Sequence, residues 1–265
     1  MSLALSLLLT LTVGQVFEPP PQDPHASTRP ESIYQVSWVD GAVIGASLLG
    51  TVIPNAYDSH IINERCPCDP SAVNAFDRSS VGNSNVSLGT VSDVAVLAVS
   101  AIPALQDVFD VGFTKPLFED MTVYAEVLSV TGVIGTAAKF TVQRPLPATY
   151  GGDPKLLKTP GGYESFYSGH TASTMASLTY LAMTLRRRHG EMWWPWVAAV
   201  VVGASVGVER VYAGRHFPTD TVVGALVGSA VGITIPLLHQ RTEGVGTFTA
   251  GPIKGGASVG WASQF

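Results

Sequence analysis

The sequence predicts an all-α fold: a bundle of about six main helices, membrane-embedded or membrane-associated, ending in a short β-like tail. Two observations carry this expectation. Six apolar segments recur along the chain, all but the first rich in Ala, Val and Leu and punctuated by Gly. Charged residues make up only 13% of the 265 residues against 46% hydrophobic, and the mean hydropathy is +0.28, greasy for a soluble domain but low for a chain made only of spanning helices.

The elements follow in order. Residues 1–16 read as a signal or anchor segment, an apolar stretch of about a dozen residues with a proline-rich polar run behind it. Residues 17–37 read as an extended linker, because Pro19, Pro20, Pro21, Pro24 and Pro30 exclude both helix interior and sheet interior. Residues 38–240 read as one helical domain whose apolar segments lie at 41–54, 90–105, 121–138, 171–185, 194–208 and 221–238. Each is roughly 14 to 18 residues, at or under the length that crosses a bilayer. Residues 241–265 turn glycine-rich and alternate like a strand up to Phe265, which reads as a short hairpin or a frayed tail.

The net charge of −5 and the scattering of cations outside Arg186, Arg187 and Arg188 exclude a nucleic-acid footprint. That arginine triplet places the loop after segment 171–185 in the cytoplasm and the neighbouring loops on the opposite side. Cys66 and Cys68, one residue apart and without other cysteines, cannot complete a thiolate zinc site. A local disulfide and a pair of free thiols both remain open. No cofactor and no metal-ligand set is read from the sequence.

Three stretches hold most of the reactive side chains that border apolar segments. "KFTVQRPLP" supplies Lys139 and Arg144. "SFYSGHTAST" runs Ser168, Gly169 and His170 into an apolar helix, whose free N–H groups and positive dipole end make an anion site. "RVYAGRHFPTD" supplies Arg210, His216 and Asp220. A helix beginning near Pro218 puts Asp220 one turn from His216, where it could accept from one ring nitrogen and leave the other as nucleophile or base. Cations, a helix N-terminus and two histidines together suit phosphoryl transfer without a metal.

The ordered set resembles the type 2 phosphatidic acid phosphatase superfamily, which also holds bacterial acid phosphatases and vanadium haloperoxidases. The resemblance covers roughly residues 90 to 238 and is most specific in "RVYAGRHFPTD". It implies a helical bundle in which His216 is the nucleophile forming a phosphohistidine, Asp220 orients it and His170 protonates the leaving oxygen. It further implies that Lys139, Arg210, Ser168 and the Gly169 amide hold the phosphoryl oxygens. The chain departs from the family pattern at Tyr167, where proline is usual, and at Glu209, where serine is usual. It departs most at Leu146, which stands where the first motif expects an arginine; Arg144 or Arg215 would have to substitute.

The resulting expectation is a metal-independent phosphatase acting on a lipid phosphate or diphosphate, weakened by Leu146, in a bacterial-type inner membrane with its site facing the periplasm. The alternatives are a soluble periplasmic acid phosphatase acting on small phosphomonoesters, a vanadate-dependent haloperoxidase, and a degenerate protein that binds phosphate or a lipid headgroup without turnover.

Overall fold

The structure, a computed structural model, describes residues 30–241, 247–253 and 256–262. The signal or anchor reading of residues 1–16 and most of the proline-rich linker lie outside the described residues.

Six long helices stand where six apolar segments were read: α1 (Trp38–Ala56), α3 (Val86–Val111), α4 (Lys115–Val142), α6 (Gly169–His189), α7 (Trp194–Tyr212) and α8 (Pro218–Leu238), with the short α2 (Asp58–Ile61) and α5 (Pro154–Leu157) in the loops between them. They run 19 to 28 residues, longer than expected. The apolar runs marked only helix interiors, while the added turns are polar or capped. Ser37 caps α1, Asn85 caps α3 and Ser168 caps α6, each through its side chain. Pro116, Pro195 and Pro218 sit in first turns, where the missing N–H costs no intrahelical bond. In the tail, β1 (Thr247–Ile253) and β2 (Gly256–Ala262) form an antiparallel hairpin.

Helix α6 is the axis of the bundle, and every residue from Thr174 to Leu185 is buried. It packs against α3, α4, α7 and α8. Several of its Ser and Thr side chains bond internally, as in Tyr34–Thr184 and Tyr124–Ser177, while the Thr174 hydroxyl is buried without a partner. The surrounding helices α1, α3, α4, α7 and α8 are long and apolar enough to cross a bilayer. Their outer faces expose large apolar side chains, with Leu97 74% and Leu226 66% accessible. That is an outside built for lipid rather than water. Trp38, Trp193 and Trp194 stand exposed at the first turns of α1 and α7, positions suited to a headgroup layer.

Gly224, Gly228 and Gly232 form the face of α8 that lies on α6. A Cβ at these positions would sit 2.5, 2.1 and 2.4 Å from the carbonyl oxygens of Ser168, Ala172 and Ala176. The glycine row therefore lets the two backbones touch. This contact sets the start of α6 against the start of α8, which carry the second and third motifs.

Candidate active site at one end of the bundle

Lys139 is in the last turn of α4, Ser168 to His170 open α6, Arg210 is in the last turn of α7, and His216 sits just before α8. The fold thus brings the three sequence motifs to one end. A tight turn delivers His216: Gly214 has φ of 69°, and a Cβ there would lie 1.7 Å from the carbonyl oxygen of Asn83. The amides of Arg215 and His216 both donate to the carbonyl of Arg210, and the amide of Ser168 donates to the carbonyl of Asp220.

His216 is buried, and its Nδ1 lies 2.6 Å from the carbonyl oxygen of Ser165. Burial, followed by the positive charges of Arg210 and Lys139, holds its pKa well below the usual histidine value. The imidazole is therefore neutral at physiological pH, and Nε2 carries the free lone pair.

Asp220 does not reach the imidazole. It is the third residue of α8, and its Oδ2 folds back to accept from the amide of Phe217 at 2.9 Å and from the hydroxyl of Ser165 at 2.5 Å. Its Oδ1 accepts from Arg144 at 2.5 Å. The helix starts at Pro218 as the sequence predicts, but the capping geometry points the carboxylate along the helix rather than at His216.

Arg144 is also engaged. It donates to Asp220, to Thr219 at 3.0 Å and to Asp77 at 2.8 Å, and its guanidinium stacks 3.9 Å over the Phe217 ring. Both terminal nitrogens are thereby committed to carboxylates, so in this geometry Arg144 clamps a loop to the start of α8 instead of pointing at a phosphate. Burial alone would push Asp77 up, yet the bonds from Arg144, Thr219 and Asn74 outweigh it and hold its pKa below the usual carboxylate value. Leu146 is buried, with its amide on the carbonyl of Gly162, so the expected arginine position is part of the loop core.

The hydroxyl of Ser168 is buried against Thr171 as the cap of α6. What this turn offers an anion is its first amides, at Gly169 and His170, which precede the intrahelical bonding pattern. Lys139 lies 3.5 Å from Glu164. Arg210 is buried, donates to Ser92 at 3.1 Å and to Asp93 at 2.8 Å, and keeps Nε without a partner. His170 Nε2 lies 2.7 Å from the same Oδ1 of Asp93. Arg215 is exposed, and its charge bears on Arg210.

A family model described as the PAP2 superfamily matches residues 120–243, the stretch that contains all three motifs. An undecaprenyl-diphosphatase of Sulfolobus acidocaldarius is 27% identical over 122 residues, which is 46% of this chain and 52% of that protein. Residues 120–243 are therefore similar to the PAP2 superfamily. The chain thus matches about half the length of this curated relative. Two solved structures are also similar. A transmembrane PAP2-type phosphatidylglycerolphosphate phosphatase from Bacillus subtilis has a TM-score of 0.45 and 18% identity, over 76% of this chain and 96% of that one. Aquifex aeolicus LpxE has a TM-score of 0.38 and 26% identity, over 70% and 94%.

Around the three motifs the structure adds residues that sequence reading did not single out. Asp93, on α3, bridges His170 and Arg210. Ser165 contacts His216 through its carbonyl and Asp220 through its hydroxyl. Asp77 anchors Arg144 and the amide of Thr219. Asp77 and Asp93 lie outside the three motifs, and no local spacing marks them. Only Ser165, three residues before Ser168, was within reach of a motif reading.

Proposed function

We propose that the protein is a metal-independent phosphatase acting on a lipid phosphate or diphosphate through a phosphohistidine on His216. The observation that carries this reading is the free Nε2 of a neutral His216, set among Arg210, Lys139 and the amides that open α6. Burial and the charge of Arg210 hold the His170 pKa down to about 4, and the negative charge of a bound phosphate, with Asp93 at Nε2, offsets them so that the ring can carry a second proton. Nε2 of His216 attacks phosphorus, and the P–O bond to the leaving group breaks as that oxygen takes this proton from His170. Water then attacks the phosphohistidine and gives a proton to His170, and the P–N electron pair returns to Nε2. Arg210, Lys139 and the Gly169 and His170 amides match the charge that grows on the phosphoryl oxygens. Arg215 supplies the cation that Leu146 cannot. Asp220 and Arg144 act as positioning residues.

A lipid substrate is favoured by an apolar groove of about 590 Å³ between α7 and α8, lined by Met175, Gly203, Ala204, Val208, Leu226 and Pro218. It ends at Pro218, two residues from His216, so a chain in the groove would put its headgroup near the histidine. The Sulfolobus relative's name supports a lipid diphosphate. For orientation, the arginine triplet lies at the opposite end of α6, roughly 30 Å from the site for a helix of this length. The Cys66–Cys68 disulfide lies in the loop region that packs on the catalytic end, which suits an oxidising, outward-facing compartment.

Hydrolysis of short-chain phosphatidate, a polyprenyl diphosphate and p-nitrophenyl phosphate by the wild type and His216→Ala tests the proposal. Equal rates for the two proteins would sink it, and phosphate binding without turnover would favour a binding protein instead. The five apolar helices weigh against the soluble acid phosphatase, which would appear in a detergent-free wash.

A further inference from the structure

A second group of ionisable side chains lies at the other end of α8. Asp40 from α1, Glu126 from α4 and His239, which caps the C-terminus of α8, present ligand atoms that all lie within 4.8 Å of one another. We propose that these three residues bind a divalent first-row transition ion, of the Mn2+ or Zn2+ type, in a structural site separate from the phosphate site.

The argument begins with the imidazole. His239 Nδ1 lies 2.8 Å from the carbonyl oxygen of Ile235, which can only accept, so Nδ1 carries the ring proton. Nε2 then faces two carboxylates, Asp40 Oδ1 at 3.0 Å and Glu126 Oε2 at 3.3 Å. A lone pair facing two anions needs a positive charge between them. A proton on Nε2 serves Asp40 but leaves Glu126 Oε2 buried without a hydrogen bond, on a residue only 8% exposed. It also leaves the buried group with a net charge of −1. A divalent ion bonds all three atoms and makes the group neutral, which the low-dielectric interior favours.

The geometry fits. Ligand atoms about 2.0–2.2 Å from a common ion stand roughly 3.0–3.4 Å apart, which spans both observed separations. A metal-bound histidine characteristically donates its other N–H to a backbone carbonyl, as His239 does. One imidazole with two carboxylates suits Mn2+ or Zn2+ better than soft Cu+ or all-oxygen Ca2+. Asp40 is further fixed by the amide of Ser37, which it accepts while capping α1. The ion would join α1, whose surface is mostly exposed, to α4 and α8.

The test uses the full chain, free of affinity tags, in detergent and stripped with chelator. Mn2+ binding is followed by electron paramagnetic resonance, Co2+ binding by visible absorption, and stability by thermal melting with and without each ion. The expected result is one equivalent of saturable binding, a rise in melting temperature on adding metal, and an affinity loss of at least about tenfold in Glu126→Gln and His239→Gln. Absence of one-equivalent binding by the wild type would overturn the proposal, and that titration needs no variant to fold. Binding unchanged in both variants would overturn it as well. None of these readouts depends on phosphate hydrolysis, so they stand or fall apart from the phosphatase reading.

Discussion

The carbonyl of Ser165 accepts the proton on His216 Nδ1 at 2.6 Å, and the hydroxyl of the same serine reaches Asp220 at 2.5 Å. Asp220 therefore influences the histidine at second hand, by holding Ser165. Ser165→Ala keeps the carbonyl and loses the anchor, so kcat is expected to fall about tenfold, the scale of a lost supporting hydrogen bond. His216→Ala is expected to fall to the uncatalysed background. Steady-state kinetics on one substrate rank the two, and equal losses would show that Ser165 does more than position.

Arg144 sits between two buried carboxylates, those of Asp77 and Asp220, each with 0% accessible side chain. Removing the guanidinium leaves both charges unpaired, so Arg144→Ala is expected to lose about 3–5 kcal/mol of stability. Arg144→Lys restores charge but not the fork, and should recover only part of it. Denaturation in detergent measures this; a variant as stable as the wild type would show that Arg144 is not a clamp.

The sequence made the helices legible because each left an apolar run, and it made the motifs legible because their residues are close in the chain. Pro218 marked the start of α8 correctly for the same local reason. The direction of the Asp220 carboxylate was not legible, since it depends on Arg144, 76 residues away, and on Ser165, 55 residues away. Asp93 was hidden inside an apolar segment, where one acid reads as an interruption until α3 packs beside α6 and α7. The helix ends were also underestimated, because capping turns are polar and apolar periodicity does not extend into them.

The depressed pKa of His216 has a consequence for stability. Below the ordinary value of 6.5 the unfolded chain takes up a proton that the buried imidazole refuses. The unfolded state then binds more protons, so stability falls as pH drops through and below that value. The melting temperature of the wild type should therefore decline more steeply between pH 7.5 and 5.5 than that of His216→Asn. Parallel declines would show that the histidine is protonated in the fold.

Arg215 is the exposed arginine beside the buried Arg210, in the residue before His216. If it replaces the arginine missing at Leu146, Arg215→Ala should lower kcat/KM about 10²–10³-fold, the scale of a lost transition-state donor. Being exposed, it should leave the melting temperature unchanged. A loss confined to stability, or no loss of rate, would remove Arg215 from the site.

The groove between α7 and α8 separates a lipid phosphatase from one for small phosphomonoesters. Ala204 lines it and is exposed, so a larger side chain there fills the groove without entering the core. Ala204→Phe is expected to leave p-nitrophenyl phosphate hydrolysis near wild type, because that substrate needs only the cations and histidines at the end of the bundle. Hydrolysis of a long-chain lipid phosphate should fall, mainly through KM, since the lost contacts bind substrate and transition state alike. The ratio of the two rates is the readout, because it cancels any general loss of folded enzyme. A ratio unchanged from wild type would mean that the lipid chain does not lie in this groove.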